Sequence, residues 1–172
     1  MFVFLFVFSS ENAWAFNYKK IEVIEQKIEA FLPSHLKGEF DLPKKHIASK
    51  EAKIPNFIYT DKEKSVKIHF QHKNHVFAPR NITDFIATHA KMIFSIYPSA
   101  TVSNSTIKHI NNKDIGIIEW SDKINNKDHY NLMIVTDLDG KLMLGFLEYT
   151  GDDIDNWRIA GWRMINSINV IQ

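Results

Sequence analysis

The stretch from His129 to Thr150, HYNLMIVTDLDGKLMLGFLEYT, joins two apolar runs through Asp137-Leu138-Asp139-Gly140. Apolar runs of this length bounded by turn residues read as strands, and Asp-Gly between them signals a hairpin because the tight turn needs positive φ. The pattern continues upstream. ATVSNSTIKHI, turned by NNKD, leads into IGIIEWS, and DKINNKD then leads into the hairpin. Four short strand candidates at regular spacing predict an antiparallel meander. The first is polar and alternating, so it is expected toward a sheet edge. IPNFIYT and SVKIHFQHK, separated by DKEK, predict a further hairpin, in which Val66, Ile68 and Phe70 alternate with Lys67, His69 and Gln71. One face of that strand is therefore expected to be buried and the other wet.

Other segments carry helical spacing. Ile82, Phe85, Ile86, His89, Ile93 and Tyr97 share one side of a segment that Pro98 ends, and Ile154, Trp157, Gly161, Met164, Ile165 and Ile168 share one side of the last element. Near the start, Ile21, Ile24, Ile28 and Phe31 predict an amphipathic helix over 17–32, stopped by Pro33. Pro43 is placed to open a short helix, PKKHIASKEAK. The expected order is helix, two strands, helix, four strands, helix, which is an α+β layered sandwich of about six mostly antiparallel strands with an extra N-terminal helix.

The 172 residues are 45% hydrophobic and include thirteen Phe and four Trp, enough for one domain with an aromatic core. Lys+Arg 21 against Asp+Glu 20 leaves a net charge of +1, which gives no electrostatic case for nucleic acid. The absence of Cys excludes thiol nucleophiles, thiolate metal sites and disulfides. MFVFLFVFSSENAWA begins with an apolar run from Phe2 to Phe8 and closes on Ala13-Trp14-Ala15, the pattern of a cleavable signal peptide over 1–15. The mature chain would then start at Phe16 as a single domain over 16–172, in the periplasm or secreted. The apolar run is too short to span a bilayer, so no stable membrane insertion of the mature chain is expected.

The acidic clusters have two readings. Asp137 and Asp139 before Gly140 are a fragment of a calcium loop, with Glu148 at the twelfth position. The residues between them alternate like a strand, which would carry Glu148 far from Asp137, and the simpler reading is a hairpin turn. Asp152, Asp153 and Asp155 precede or open the last helix, where Asp152 could cap free N–H groups and the others suit the helix dipole. A surface cation site at these three is the alternative. His69, His72 and His75 are spaced i, i+3, i+6; on a strand His69 and His72 would face opposite ways, so a metal site there would need loop assistance. His89 reads as a hydrogen-bonded core histidine. No nucleophile elbow and no phosphate-binding loop is present. No catalytic, cofactor-binding or metal-ligating set is therefore assigned, and no cofactor is expected. Trp162, flanked by Arg158 and Arg163, is a candidate partner-binding anchor, and Tyr59 and Trp120 sit near strand ends where an aromatic can line a contact surface.

The order of elements resembles the PsbP-like superfamily, which includes PsbP, Mog-type and DcrB-like proteins. The resemblance rests on PNFIYTDKEKSVKIHF, YPSATVSNSTIKHINNKDIGIIEW, YNLMIVTDLDGKLMLGFLEYT and WRIAGWRMINSI, covering about 54–168. It implies a three-layer α/β/α sandwich around an antiparallel sheet and a mostly non-catalytic, protein-binding role, with no catalytic residue to carry over. The expected function is thus an exported, non-enzymatic protein-binding domain of the bacterial envelope, of immunity or accessory type, with a protein partner. A small-ligand or cation-binding periplasmic protein is the alternative.

Overall fold

The computed structural model describes residues 16–24, 26–41 and 56–171. The signal-peptide segment 1–15 and the short helix expected after Pro43 lie outside the described residues. Seven strands form one antiparallel sheet: β3 (Lys37–Asp41), β4 (Asn56–Thr60), β5 (Val66–Val76), β6 (Thr101–Ile110), β7 (Lys113–Ile124), β8 (Lys127–Leu138) and β9 (Lys141–Thr150). Their spatial order is β3-β4-β5-β9-β8-β7-β6. A second sheet has the order β1-β2-β10, from β1 (Tyr18–Val23), β2 (Ile28–Pro33) and β10 (Asn169–Val170). Among the described residues there are two α-helices, α1 (Ile82–Ile96) and α2 (Ile154–Ser167).

The expected meander is present, and its turns show why. Asn111-Asn112, Asn125-Asn126 and Asp139-Gly140 each place two successive residues at positive φ. That is the two-residue turn whose twist matches paired strands, and Asn, Asp and Gly adopt it at least strain. Asp139-Gly140 is thus a hairpin turn, as its sequence suggested. β6 is indeed the polar edge strand.

The large sheet is buried on both faces. On one face Ile115 and Ile117 of β7, Leu132 and Ile134 of β8, and Met143 and Leu147 of β9 join Trp157, Met164 and Ile165 of α2. On the other, Ile118 and Trp120 of β7 with Met133 and Val135 of β8 pack against Ile82, Ile86 and Ile93 of α1. α1 lies against β6, β7 and β8, and α2 against β8, β9 and the small sheet. Both helices bury the stripes their sequences marked, except that Tyr97 ends up exposed. Gly116 is where α1 comes closest: a Cβ there would lie 2.6 Å from Ile82 Cγ2 and 2.8 Å from Ile86 Cγ2.

The expected helix over 17–32 is a β-hairpin instead, β1 pairing with β2 from Tyr18↔Pro33 to Val23↔Ile28. Isoleucines at 21, 24 and 28 fit period 3.6, but Ile21 and Val23, then Ile28, Ala30 and Leu32, also alternate at period 2, and these are buried together with Ile24 of the connecting turn. Phe31, required on the apolar side by the helical reading, is 45% exposed. The strands win because α2 and the large sheet need an apolar lid, and a two-stranded ribbon of β-branched residues with β10 alongside supplies it. Leu32→Ala is expected to destabilise the protein by about 2–5 kcal/mol and Phe31→Thr by less than about 0.5 kcal/mol, read by chemical denaturation. Equal losses would contradict the hairpin.

Candidate functional site

The acids of the Asp-rich stretch are held by lysines. Asp137 Oδ2 accepts a hydrogen bond from Lys113 Nζ at 3.1 Å, and Asp139 pairs with Lys27 across the molecule. Glu148 lies opposite Asn131 while Asp137 lies opposite Leu142. The six-residue offset along β9 amounts to about 20 Å, which rules out a shared loop site. At the start of α2 the cap position is taken by Asp153, not Asp152, and it makes no side-chain cap bond. Asp153 Oδ1 accepts from Asn156 Nδ2 at 2.8 Å, its own N–H donates to the Tyr149 hydroxyl at 3.1 Å, and Asp155 pairs with Arg158 at 2.8 Å. Tyr149 rises from the preceding strand to meet this turn.

The histidines are separated in the same way. β5 runs on to Val76 rather than ending near Lys73, so the triplet stays on a strand. His69 is buried and stacks on Phe146 with ring centroids 4.6 Å apart. His72 Nε2 donates to the Leu138 carbonyl at 3.3 Å, and His75 is exposed. Among the described residues no three His, Asp or Glu side chains come together as metal ligands. His89 is half-buried, stacks on Phe85 and donates from Nδ1 to the Phe85 carbonyl at 2.8 Å.

The proposed partner anchors are not brought together. Trp120 is buried in the α1-side core, which removes it from any contact surface. Tyr59 is half-buried against the α2-side core at the far side of the sheet, and burial pushes its hydroxyl pKa up. Trp162 is half-buried with Lys108 Nζ 4.5 Å above its ring, and Arg163 lies 4.9 Å over the ring of Tyr18. Arg158 has the most specific placement. Its Nε donates to Glu119 Oε1 at 3.1 Å and its guanidinium lies 5.7 Å from the Tyr130 ring. Glu119 is buried on β7, so the arginine neutralises a carboxylate that would otherwise stand alone in the core. Burial, and after it the Glu119 carboxylate, push the Tyr130 hydroxyl pKa up. Each charge of this group has its counterpart within the chain, and the Tyr130 hydroxyl is buried without a hydrogen-bond partner among the described residues. Nothing in IGIIEWS marks Glu119 as the member of the alternation that needs a cation from a helix forty residues on.

One exposed feature was missed. Met92, Phe94, Ile96 and Tyr97 are 47%, 50%, 61% and 37% exposed, four large apolar residues within six positions at the C-terminal end of α1. The stripe of Ile82, Ile86 and Ile93 already fills the face toward the sheet, so among the described residues these are left largely uncovered. The signal was in MIFSIYP, which carries more apolar residues than one helical face can bury. Met92 and Ile96, four apart, share one flank of the helix, while Phe94 lies on the other.

His69 gives a measurable signature of the sheet core. Burial first, then Lys67 and Lys73, hold its pKa down from 6.5 to about 4. The folded state therefore resists protonation that the unfolded chain accepts. Above pH 6.5 both states are neutral and the effect is absent. As pH falls from 6.5 toward 4, stability should drop by up to about 3 kcal/mol. Urea denaturation across that window should show the slope in the parent protein and a flattened profile in His69→Leu.

No protein-family model matches the sequence, and comparison with curated proteins returns no match. Solved structures do share the fold. The solution structure of cyanobacterial PsbP (CyanoP) from Synechocystis sp. PCC 6803 aligns with a TM-score of 0.60 at 11% identity, over 96% of this chain and 99% of that one. LpqN of Mycobacterium tuberculosis, described as involved in cell envelope biogenesis, aligns with a TM-score of 0.54 at 12% identity, over 91% of each chain. The fold is therefore PsbP-like, with antiparallel sheets and two helices. At such identities the likeness is one of fold, and function has to be argued from the surface of this chain. No helix among the described residues is long and apolar enough to cross a membrane.

Proposed function

We propose that this chain is an exported, non-enzymatic protein-binding domain of a bacterial envelope, an accessory or immunity-type protein that works by surface contact. The observation that carries the reading is the exposed apolar flank at the end of α1, where Met92 and Ile96 lie one turn apart. Buried in an interface, such side chains contribute about 1.5–3 kcal/mol each, enough for a few of them to anchor a partner. Three further points support it. His69 is stacked on Phe146, Asp137, Asp139 and Asp155 are in ion pairs, and no three His, Asp or Glu among the described residues meet as metal ligands. The first fifteen residues have the composition of a signal peptide. The fold is shared with LpqN, a protein described as acting in envelope biogenesis.

Envelope fractions of the native bacterium, treated with a short crosslinker, should yield one stoichiometric adduct of this chain. The double variant Met92→Lys/Ile96→Lys should lose at least about nine-tenths of that adduct while its stability changes by less than about 0.5 kcal/mol. An unchanged adduct in the variant, or none in the parent protein, would remove the reading.

A further inference from the structure

α2 packs its apolar stripe inward, and its outer face carries an arrangement assembled from three elements. Ile159 points into water, 58% exposed. Trp162 and Arg163 lie three and four residues further on, so they flank it on the helix surface. Each of the two meets a side chain from a remote strand. Lys108 of β6 lies opposite Ile115 of β7, which turns it to the α2 side, and its Nζ sits 4.5 Å from the centre of the Trp162 ring. On the other flank the Arg163 guanidinium sits 4.9 Å over the ring of Tyr18 at the start of β1. The surface therefore has an exposed isoleucine at its centre and a stacked cation to each side.

The charges select the partner. A lone unpaired lysine says little, because a solvated ammonium needs no counterion. Lys108 and Arg163 differ in being held on aromatic faces, and neither makes an ion pair among the described residues. A ring face takes no conventional hydrogen bond, so the N–H donors of both remain for another acceptor. The neighbouring cations are already neutralised, Arg158 by Glu119 and Asp155, and Lys20 by Glu29. Asp155, one turn before Ile159, is thus held by Arg158. A carboxylate brought to Arg163 would find a planar donor suited to bidentate pairing, and a second would find the Lys108 ammonium. Stacking both cations lowers the conformational cost of that encounter. Between them Ile159 and the exposed part of Trp162 offer an apolar side chain a contact. An anionic bilayer fits less well, since one exposed isoleucine gives little to insert and the chain's net charge is only +1.

We propose that the outer face of α2 binds an acidic protein segment, one apolar side chain flanked by carboxylates, on Ile159, Trp162, Arg163 and Lys108. The proposal rests on reading this chain as a protein-binding domain. It does not rest on the end of α1, which lies across the large sheet from α2.

The full chain can be titrated into fluorescently labelled peptides and followed by anisotropy. One peptide has a leucine between two pairs of glutamates, a second has glutamines for the glutamates, and a third has alanine for the leucine. Vesicles of phosphatidylglycerol are the lipid probe. The first peptide should bind saturably, the glutamine form at least about tenfold more weakly, and the alanine form more weakly by a smaller factor. Lys108→Glu/Arg163→Glu should weaken the first peptide by at least about tenfold, and Ile159→Ser should abolish the preference for leucine over alanine. Amide NMR spectra of both variants should stay those of the folded protein. Lys62→Glu/Lys91→Glu makes the same change of net charge at exposed positions away from α2, and it should bind like the parent. Equal binding of the glutamine peptide, or equal losses in the two charge-reversal variants, would overturn the proposal. Vesicle binding without peptide binding would overturn it in favour of a lipid surface. A crosslinked adduct lost in Met92→Lys/Ile96→Lys, beside no peptide binding, would sink the α2 surface alone. Peptide binding with no adduct in the parent protein would remove the α1 contact and leave this one standing.

Discussion

Each of the turns Asn111-Asn112, Asn125-Asn126 and Asp139-Gly140 holds two consecutive residues at positive φ, and that local geometry fixes the pairing register of four strands. Register matters here more than in a sheet with one wet face. β7 sends Ile115 and Ile117 to the α2 side and Ile118 and Trp120 to the α1 side, and β8 divides its residues the same way. Slipping one strand by a single residue would exchange the two sets. The close approach of α1 would then meet an isoleucine in place of Gly116, and Glu119 would leave its arginine. Both helices are thus positioned by the register that these turns set, and Asn111 Nδ2 itself donates to the Ile168 carbonyl at the end of α2 at 2.8 Å.

The buried polar groups follow from the same arrangement. Glu119 belongs by register to the α2 face, where an unpaired carboxylate would be severely penalised, and Arg158 reaches it from one turn inside the helix. His69 points to the opposite face and remains neutral because it is surrounded by a ring, the sheet and two lysines. Both are structural uses of residues that a motif search would flag as chemistry. Among the described residues, His69 Nδ1, Trp120 Nε1, Asp122 Oδ1 and the Tyr130 hydroxyl are buried without a hydrogen-bond partner, and the apolar end of α1 stays in water.

The PsbP-like fold is shared by a cyanobacterial PsbP and by a mycobacterial protein of envelope biogenesis at 11% and 12% identity. A scaffold whose alternating pattern and turns suffice to define it tolerates almost complete replacement of its surface.

The meander, the β4–β5 hairpin and both helices were legible in the sequence because each is specified locally, by two-residue turns, by period 2 or by period 3.6. The segment over 17–32 was not, since its isoleucines satisfy both periods over a short span, and only contact with α2 decides between them. The partners of Glu119, Asp137 and Asp139 were also hidden, because each lies on an element remote in sequence and depends on which face a strand presents. By itself the sequence determined where the chain turns and which residues must be buried. Tertiary structure decided which charges meet and which apolar side chains remain in water, because burial is a property of neighbouring layers and not of the segment that carries the residue.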